Sequence, residues 1–224
     1  MSTRIVRTVV LFLVKLLARV RIEGLENLPE SGSYIATANH VGRLEVLLTF
    51  YVVRRDDIIL LIAEKYRKHR IWRWLARQAN GIFIDRYNAD FGAIREVLRR
   101  LKQGGVLAIS PEGTRSPTGN LIQARQGAAY LALKSGLPIV AVAAIGNEDA
   151  VVKARYKRLR RADVLIRVGK LYQPPALDHA QREQQLVQLT DEIMCHIAGL
   201  LPEERRGYYR DYPRVAELIQ QDIV

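Results

Sequence analysis

The chain has 224 residues, 49% of them apolar, enough for one buried core and too many for a disordered polymer. Its formal charge is +12 and its pI about 10.1, so its surface seeks anions: nucleic acid, acidic lipid headgroups, or phosphorylated and CoA-type substrates. A single cysteine, Cys195, excludes an intramolecular disulfide, and no stretch approaches the roughly 20 apolar residues a spanning helix needs.

The amino terminus carries an unbroken apolar run over residues 9–14, flanked by Arg4, Arg7, Lys15, Arg19 and Arg21. Ala18-Arg19-Val20 is a poor signal-cleavage site. Residues 1–24 read as an amphipathic helix, lying either in a membrane interface or packed on the domain that follows, residues 25–224. That domain alternates strand-like and helix-like segments. Residues 33–38 predict a strand, 43–53 a helix and Ile58–Ala63 a second strand. A basic helical stretch through Arg77 leads to a strand over 81–85. Asp90 caps a helix with Ile94, Val97, Leu98 and Leu101 on one face, closed by Gly104-Gly105. A strand over 106–110, a helix from about Arg125 to Gly136, and strands over 138–145 and Ala162–Val168 follow. Asp178 with Gln181 resembles a capping box for a helix presenting Leu186, Leu189, Ile193 and Ile197. This order predicts a single-domain α/β sandwich, a mostly buried mixed sheet flanked by helices, with site-forming loops at strand ends.

Basic residues crowd into 65–73 and 153–161; in the second run six of nine positions are Lys or Arg. Both read as solvated loops or as anion-binding surfaces. Ile71, Trp72, Trp74 and Leu75, set among cations, suit a headgroup layer or a core.

Three segments could carry chemistry. His40, in Ala38-Asn39-His40-Val41-Gly42-Arg43-Leu44-Glu45, follows a predicted strand, where a general base or a turn cap would both fit. In one ideal helix Glu45 would lie about 140° around from it. If His40 instead precedes the helix, Glu45 can fold back and orient the ring. Ser110-Pro111-Glu112-Gly113-Thr114-Arg115-Ser116 also follows a strand; its backbone N–H groups and Arg115 could grip a phosphate, or it could be a plain surface turn. Ser110 lacks the glycines of a nucleophile elbow. Gly81-Ile82-Phe83-Ile84-Asp85-Arg86 is a buried strand ending in charges.

Together, over residues 28–145, these segments resemble the 1-acylglycerol-3-phosphate acyltransferase family. Asn39-His40 through Glu45 is similar to its His-x4-Asp block, Gly81 to Arg86 to its second block, and Pro111-Glu112-Gly113-Thr114-Arg115-Ser116 to its third. Leu137-Pro138-Ile139-Val140 is similar to the fourth. One departure stands out: the family's Asp is Glu45 here, which moves the carboxylate by about 1.5 Å.

The resemblance implies acyl transfer from acyl-CoA or acyl carrier protein to the hydroxyl of 1-acylglycerol 3-phosphate, with no bound cofactor and no covalent acyl-enzyme. His40 would be the general base held by Glu45, with Arg86 and Arg115 on the acceptor phosphate. Glu112, Gly113 and Thr114 would line the substrate and oxyanion region, Glu112 ordering Arg115 or meeting a glycerol hydroxyl. It also implies an anionic phospholipid surface as partner, on the cytoplasmic face of a membrane and in a peripheral or monotopic setting. Another lysophospholipid or glycerol 3-phosphate as acceptor, or a non-catalytic lipid-binding relative, are the alternatives. No RNA-binding aromatic motif or recognition-helix signature accompanies the charge, so nucleic acid is not an expected partner. Four scattered histidines make no metal site.

Overall fold

A computed structural model of the chain describes residues 3–86, 88 and 90–221, without the side chains of residues 3–7, 71, 72 and 75. The interfacial reading of Ile71, Trp72 and Leu75 therefore falls outside the described side chains; that of Trp74 does not, and Trp74 is half exposed.

The chain opens with helix α1 (Thr3–Leu17), then strand β1 (Ala18–Glu23). This corrects the expected helix over 1–24. Ala18-Arg19-Val20-Arg21-Ile22-Glu23 alternates with period two, the pattern of a strand with one wetted face, and β1 duly pairs along β7. The remaining elements are β2 (Tyr34–Ala38), α2 (Glu45–Val53), β3 (Ile58–Ala63), α3 (Arg70–Gln78), β4 (Gly81–Ile84), α4 (Phe91–Lys102), β5 (Val106–Ile109), α5 (Gly127–Ser135), β6 (Ile139–Ile145), α6 (Asp149–Lys157), β7 (Ala162–Val168), α7 (Arg182–Leu200) and α8 (Pro213–Gln220).

The seven strands lie in the order β1-β7-β6-β2-β5-β3-β4, parallel throughout except for the β6–β7 pair. A parallel strand buried on both faces needs no polar alternation, which is why Ile58–Ala63 and Ile139–Ile145 are continuous apolar runs. β2 shows how the two faces share it. Tyr34 and Ala36 point into a core with Val10 and Val14 of α1 and Leu48 and Val52 of α2. Ile35 points the other way, into the larger core under α4, α5, α7 and α8.

The helix ends follow local chemistry. Asp90 caps α4 as expected, its side chain accepting from the Ala93 N–H at 2.9 Å. The Asp178 capping box does not form. The Asp178 carboxylate accepts from Ala180 N–H in a tight turn, and α7 starts at Arg182, with Gln181 as its cap. Most of the basic run 153–161 is helical, because it continues α6.

The parallel strands β2, β3, β4, β5 and β6 all present their carboxyl ends at one edge of the sheet. The β2 end is fixed there by Asn39: its amide donates to the Ala144 carbonyl at 2.9 Å and accepts from the Ala144 N–H at 2.8 Å. A side chain thereby extends the β2–β6 ladder by one rung, and His40 stands immediately beyond it.

Candidate active site

His40 lies in the loop between β2 and α2, and Glu45 is the first residue of α2. The 140° separation of a shared helix does not apply, and Glu45 folds back across its own loop. Its Oε1 accepts from the N–H groups of Val41 at 2.5 Å and Gly42 at 2.7 Å, and from the Asn147 amide at 3.2 Å. Its Oε2 meets His40 Nδ1 at 2.5 Å. A carboxylate only accepts, so Nδ1 is the donor, and the tautomer leaves a lone pair on Nε2. The ring is partly exposed. The result is a histidine with one nitrogen tied to a caged carboxylate and the other available as a base.

The segment after β5 supports this loop from beneath. Glu112 is only 1% exposed. Its Oε1 accepts from the backbone N–H of His40 at 2.7 Å and its Oε2 from that of Ile122 at 3.1 Å. Burial pushes its carboxyl up to about 7, against the opposing pull of the Ile122 and His40 N–H groups. The carboxylate thus points inward, onto the backbone of His40. Of the two roles the resemblance left open for Glu112, ordering Arg115 or meeting a glycerol hydroxyl, neither matches these partners, which are the backbone N–H groups of His40 and Ile122. The Ser116 N–H completes the tie by donating to the His40 carbonyl at 2.7 Å.

Gly113 has φ of +70°, and a β-carbon there would stand 3.0 Å from the Arg125 Cδ, so glycine is what the turn and the packed arginine require. Its N–H closes the turn onto the Ser110 carbonyl at 3.1 Å, which spends the donor locally. Thr114 is exposed at the tip. Among the described residues, the N–H groups of Thr114 and Arg115 take no hydrogen-bond partner.

The two arginines approach from opposite sides. Arg86, just past β4, donates from Nη1 to the Gly113 carbonyl at 2.7 Å, and its own carbonyl accepts from Arg125 Nη1 at 2.6 Å. Arg115 pairs through Nη1 with Asp149 Oδ2 at 3.0 Å. Asp149 Oδ1 also accepts from the Arg43 N–H at 2.8 Å, which joins the His40 loop to the Arg115 turn through the start of α6.

All the sequence-predicted residues therefore gather at one sheet edge: His40 and Glu45 after β2, Arg86 after β4, and Glu112, Gly113, Thr114 and Arg115 after β5. Sequence reasoning missed Arg125, Asn147 and Asp149. A signal was present for two of them. Gly146-Asn147-Glu148-Asp149 directly follows a predicted strand, and polar residues in that position belong to the same edge.

A histidine oriented by a carboxylate, at the same sheet edge as two arginines, is an arrangement that can accept a proton from a hydroxyl. Comparison with known proteins gives the family. The Acyltransferase family model matches residues 19–145, and the chain belongs to that family. It is 30% identical over 194 residues to the 1-acyl-sn-glycerol-3-phosphate acyltransferase of Cocos nucifera, covering 84% of this chain and 59% of that protein. The 1-acyl-sn-glycerol-3-phosphate acyltransferase alpha of Homo sapiens is 26% identical over 160 residues, covering 67% of this chain and 53% of that one. The chain thus spans little more than half the length of these curated relatives. Among solved structures, the 1-acyl-sn-glycerophosphate (LPA) acyltransferase PlsC of Thermotoga maritima superimposes with a TM-score of 0.65 at 26% identity, over 85% of this chain and 77% of that one.

Proposed function

We propose that the protein moves a fatty acyl group from a thioester, acyl-CoA or acyl carrier protein, to the free hydroxyl of 1-acylglycerol 3-phosphate, giving phosphatidic acid. The observation that carries this reading is the His40–Glu45 pair. The ring is locked through Nδ1 to a carboxylate that is itself held by two backbone N–H groups, leaving Nε2 as the acceptor. The similarity to 1-acyl-sn-glycerol-3-phosphate acyltransferases supports the substrate class.

In the proposed reaction Nε2 takes the hydroxyl proton as the acceptor oxygen attacks the thioester carbonyl carbon. Glu45 stabilises the imidazolium that forms. The tetrahedral oxyanion draws on backbone donors of the turn, where the Thr114 and Arg115 N–H groups are unpaired. When the intermediate collapses, the C–S bond breaks, the thiolate takes the proton from His40, and the ester remains on the glycerol. Arg86 and Arg115 serve the acceptor phosphate, since guanidinium forks match phosphate oxygens. For Arg115 that means exchanging Asp149 for the phosphate. Glu112 holds His40 in place and touches no substrate.

We further place the protein on the cytoplasmic face of a membrane, peripheral or monotopic. No helix among the described residues is long and apolar enough to cross a bilayer. The outer ridge of α1, with Val9, Phe12 and Leu16 exposed, supports contact with a lipid surface.

The test is acyl transfer to 1-acylglycerol 3-phosphate with both donors in parallel, for the parent and His40→Ala. Product that disappears with His40 supports the reading; undiminished turnover in His40→Ala removes it. Activity only on a headgroup-bearing lysophospholipid or on glycerol 3-phosphate would move the acceptor and keep the mechanism.

A further inference from the structure

The end of α6 contains a leucine that does nothing for the fold. The helix closes with the Arg160 N–H donating to the Arg155 carbonyl and the Leu159 N–H donating to the Tyr156 carbonyl, both at 3.0 Å. These crossed bonds form a Schellman motif, with Leu159 at the position where the chain turns left-handed. Its φ is 53°, a conformation in which a β-carbon is strained and glycine is the usual occupant. Leu159 is also 97% exposed. The apolar contact that often accompanies this motif is missing, since the residues that would make it are Arg155 and Arg160. A strained side chain left almost fully exposed among the described residues points to something outside the chain.

Its neighbours say what. Lys157, Arg158, Arg160 and Arg161 are all exposed and make no ion pair among the described residues. The knuckle sits beside the carboxyl end of α1: Tyr156 Oη donates to the Leu17 carbonyl at 3.3 Å, and Ala162 faces Ala18 across the β1–β7 ladder. There the outer ridge of α1 exposes Val9, Phe12 and Leu16, opposite the stripe of Val10 and Val14 that packs on α2. Because β7 runs antiparallel to β6, its amino end lies at the same sheet edge as the carboxyl ends of β2, β5 and β6. The knuckle, the end of α1 and the His40 loop therefore share one side of the molecule.

We propose that residues 157–161 form a membrane-inserting knuckle. Leu159 enters the apolar layer of an anionic bilayer, the four cations meet the headgroup phosphates, and the α1 ridge lies alongside. Charge complementarity selects an anionic surface, and the lone apolar tip selects a fluid phase over a shaped protein socket. This rests on the membrane reading above and adds the residues that make the contact.

The test uses the full chain and vesicles of phosphatidylcholine with and without phosphatidylglycerol, read by co-sedimentation beside thermal melts. Leu159→Gly and Leu159→Asn, both tolerant of the left-handed turn, should melt at or above the parent temperature while binding anionic vesicles about tenfold more weakly. Leu159→Phe should hold on as tightly as the parent. A parent that ignores anionic vesicles overturns both this proposal and the membrane reading. A parent that binds, with both substitutions binding equally well, overturns this proposal alone. Intact vesicle binding with lost affinity for an acidic acyl carrier protein would assign the knuckle to that protein instead.

Discussion

Gly42 is packed directly against Asn147. A β-carbon on Gly42 would fall inside the van der Waals envelope of the Asn147 carbonyl oxygen, while the Gly42 N–H and the Asn147 amide converge on Glu45 Oε1. The β2–α2 loop and the β6–α6 loop thereby hold one carboxylate oxygen between them. Gly42→Ala should force the loops apart, costing about 1–3 kcal/mol of stability, as overpacking does. It should also lower kcat by at least tenfold with little change in KM, because the base loses its orientation and the acceptor site does not. A melt and a steady-state assay on the purified variant check both. Parent-like kcat beside a lowered melting temperature would make the contact structural only.

Glu45 stands where the resemblance to the His-x4-Asp block leads one to expect Asp, and its longer side chain reaches every partner in the loop. Its reach satisfies Val41, Gly42, Asn147 and His40 together. Withdrawing the carboxylate by about 1.5 Å leaves at least one of these unmet. Glu45→Asp should therefore be slower than the parent by about tenfold to a hundredfold, even though it restores the family residue. A faster Glu45→Asp enzyme would mean that the loop is not adapted and that this chain carries a damaged site.

Glu112 gives a pH signature of stability. Burial raises its folded carboxyl from an ordinary 4.5 to about 7. The unfolded chain therefore releases the proton first, and the contribution of Glu112 is full below pH 4.5 and lost as pH rises through about 7. The change is about 3 kcal/mol, at about 1.4 kcal/mol per pH unit. Glu112→Gln cannot titrate, so the stability of the parent minus that of the variant should fall across this window and stay flat above it. Urea denaturation at pH 5, 6, 7 and 8 measures the difference. The amide also sets an N–H₂ donor against one of two backbone donors, so turnover should drop as His40 shifts.

Arg115 and Asp149 form a pair that the proposed acceptor would open. Arg115→Ala should raise KM for 1-acylglycerol 3-phosphate about tenfold or more, consistent with a lost charge-assisted contact, and lower kcat less. Asp149→Asn keeps the cap on the Arg43 N–H through its side-chain oxygen and weakens the hold on Arg115. KM should then stay level or fall. A rise in KM in both variants would mean that the pair acts as a unit and that Arg115 does not leave it.

The architecture was legible wherever a pattern had only one physical solution. The apolar run 58–63 and the segment 162–168, where β-branched residues alternate with Asp163 and Arg167, became strands with those bounds. Asp90 before an amphipathic run became a cap. Errors arose where two patterns overlapped. The alternation of 18–23 was hidden by the apolar helix before it, since the strand forms only by pairing with residues almost 150 positions away. α8 carries Val215 and Leu218 into the core but is too short for periodicity to announce it. At the site, the residues that hold a recognisable block were found from the sequence. Glu112 was recognised, but its inward orientation was not, because which way a side chain turns at a strand end depends on what the neighbouring strand delivers. Asn147 and Asp149 were missed for the same reason: they belong to the site through the sheet, across more than a hundred residues from His40 and Glu45.

α6 is a nine-residue rod, about 14 Å long, lying between the end of β6 and the start of β7. Its first residue, Asp149, holds Arg115, and its capping turn lifts Leu159 into solvent. Backbone hydrogen bonds, not a slack loop, set the spacing between them. Whatever surface receives Leu159 is thereby kept at a set height from the arginine that would meet the acceptor, so α6 works as a gauge for how far above that surface the chemistry takes place.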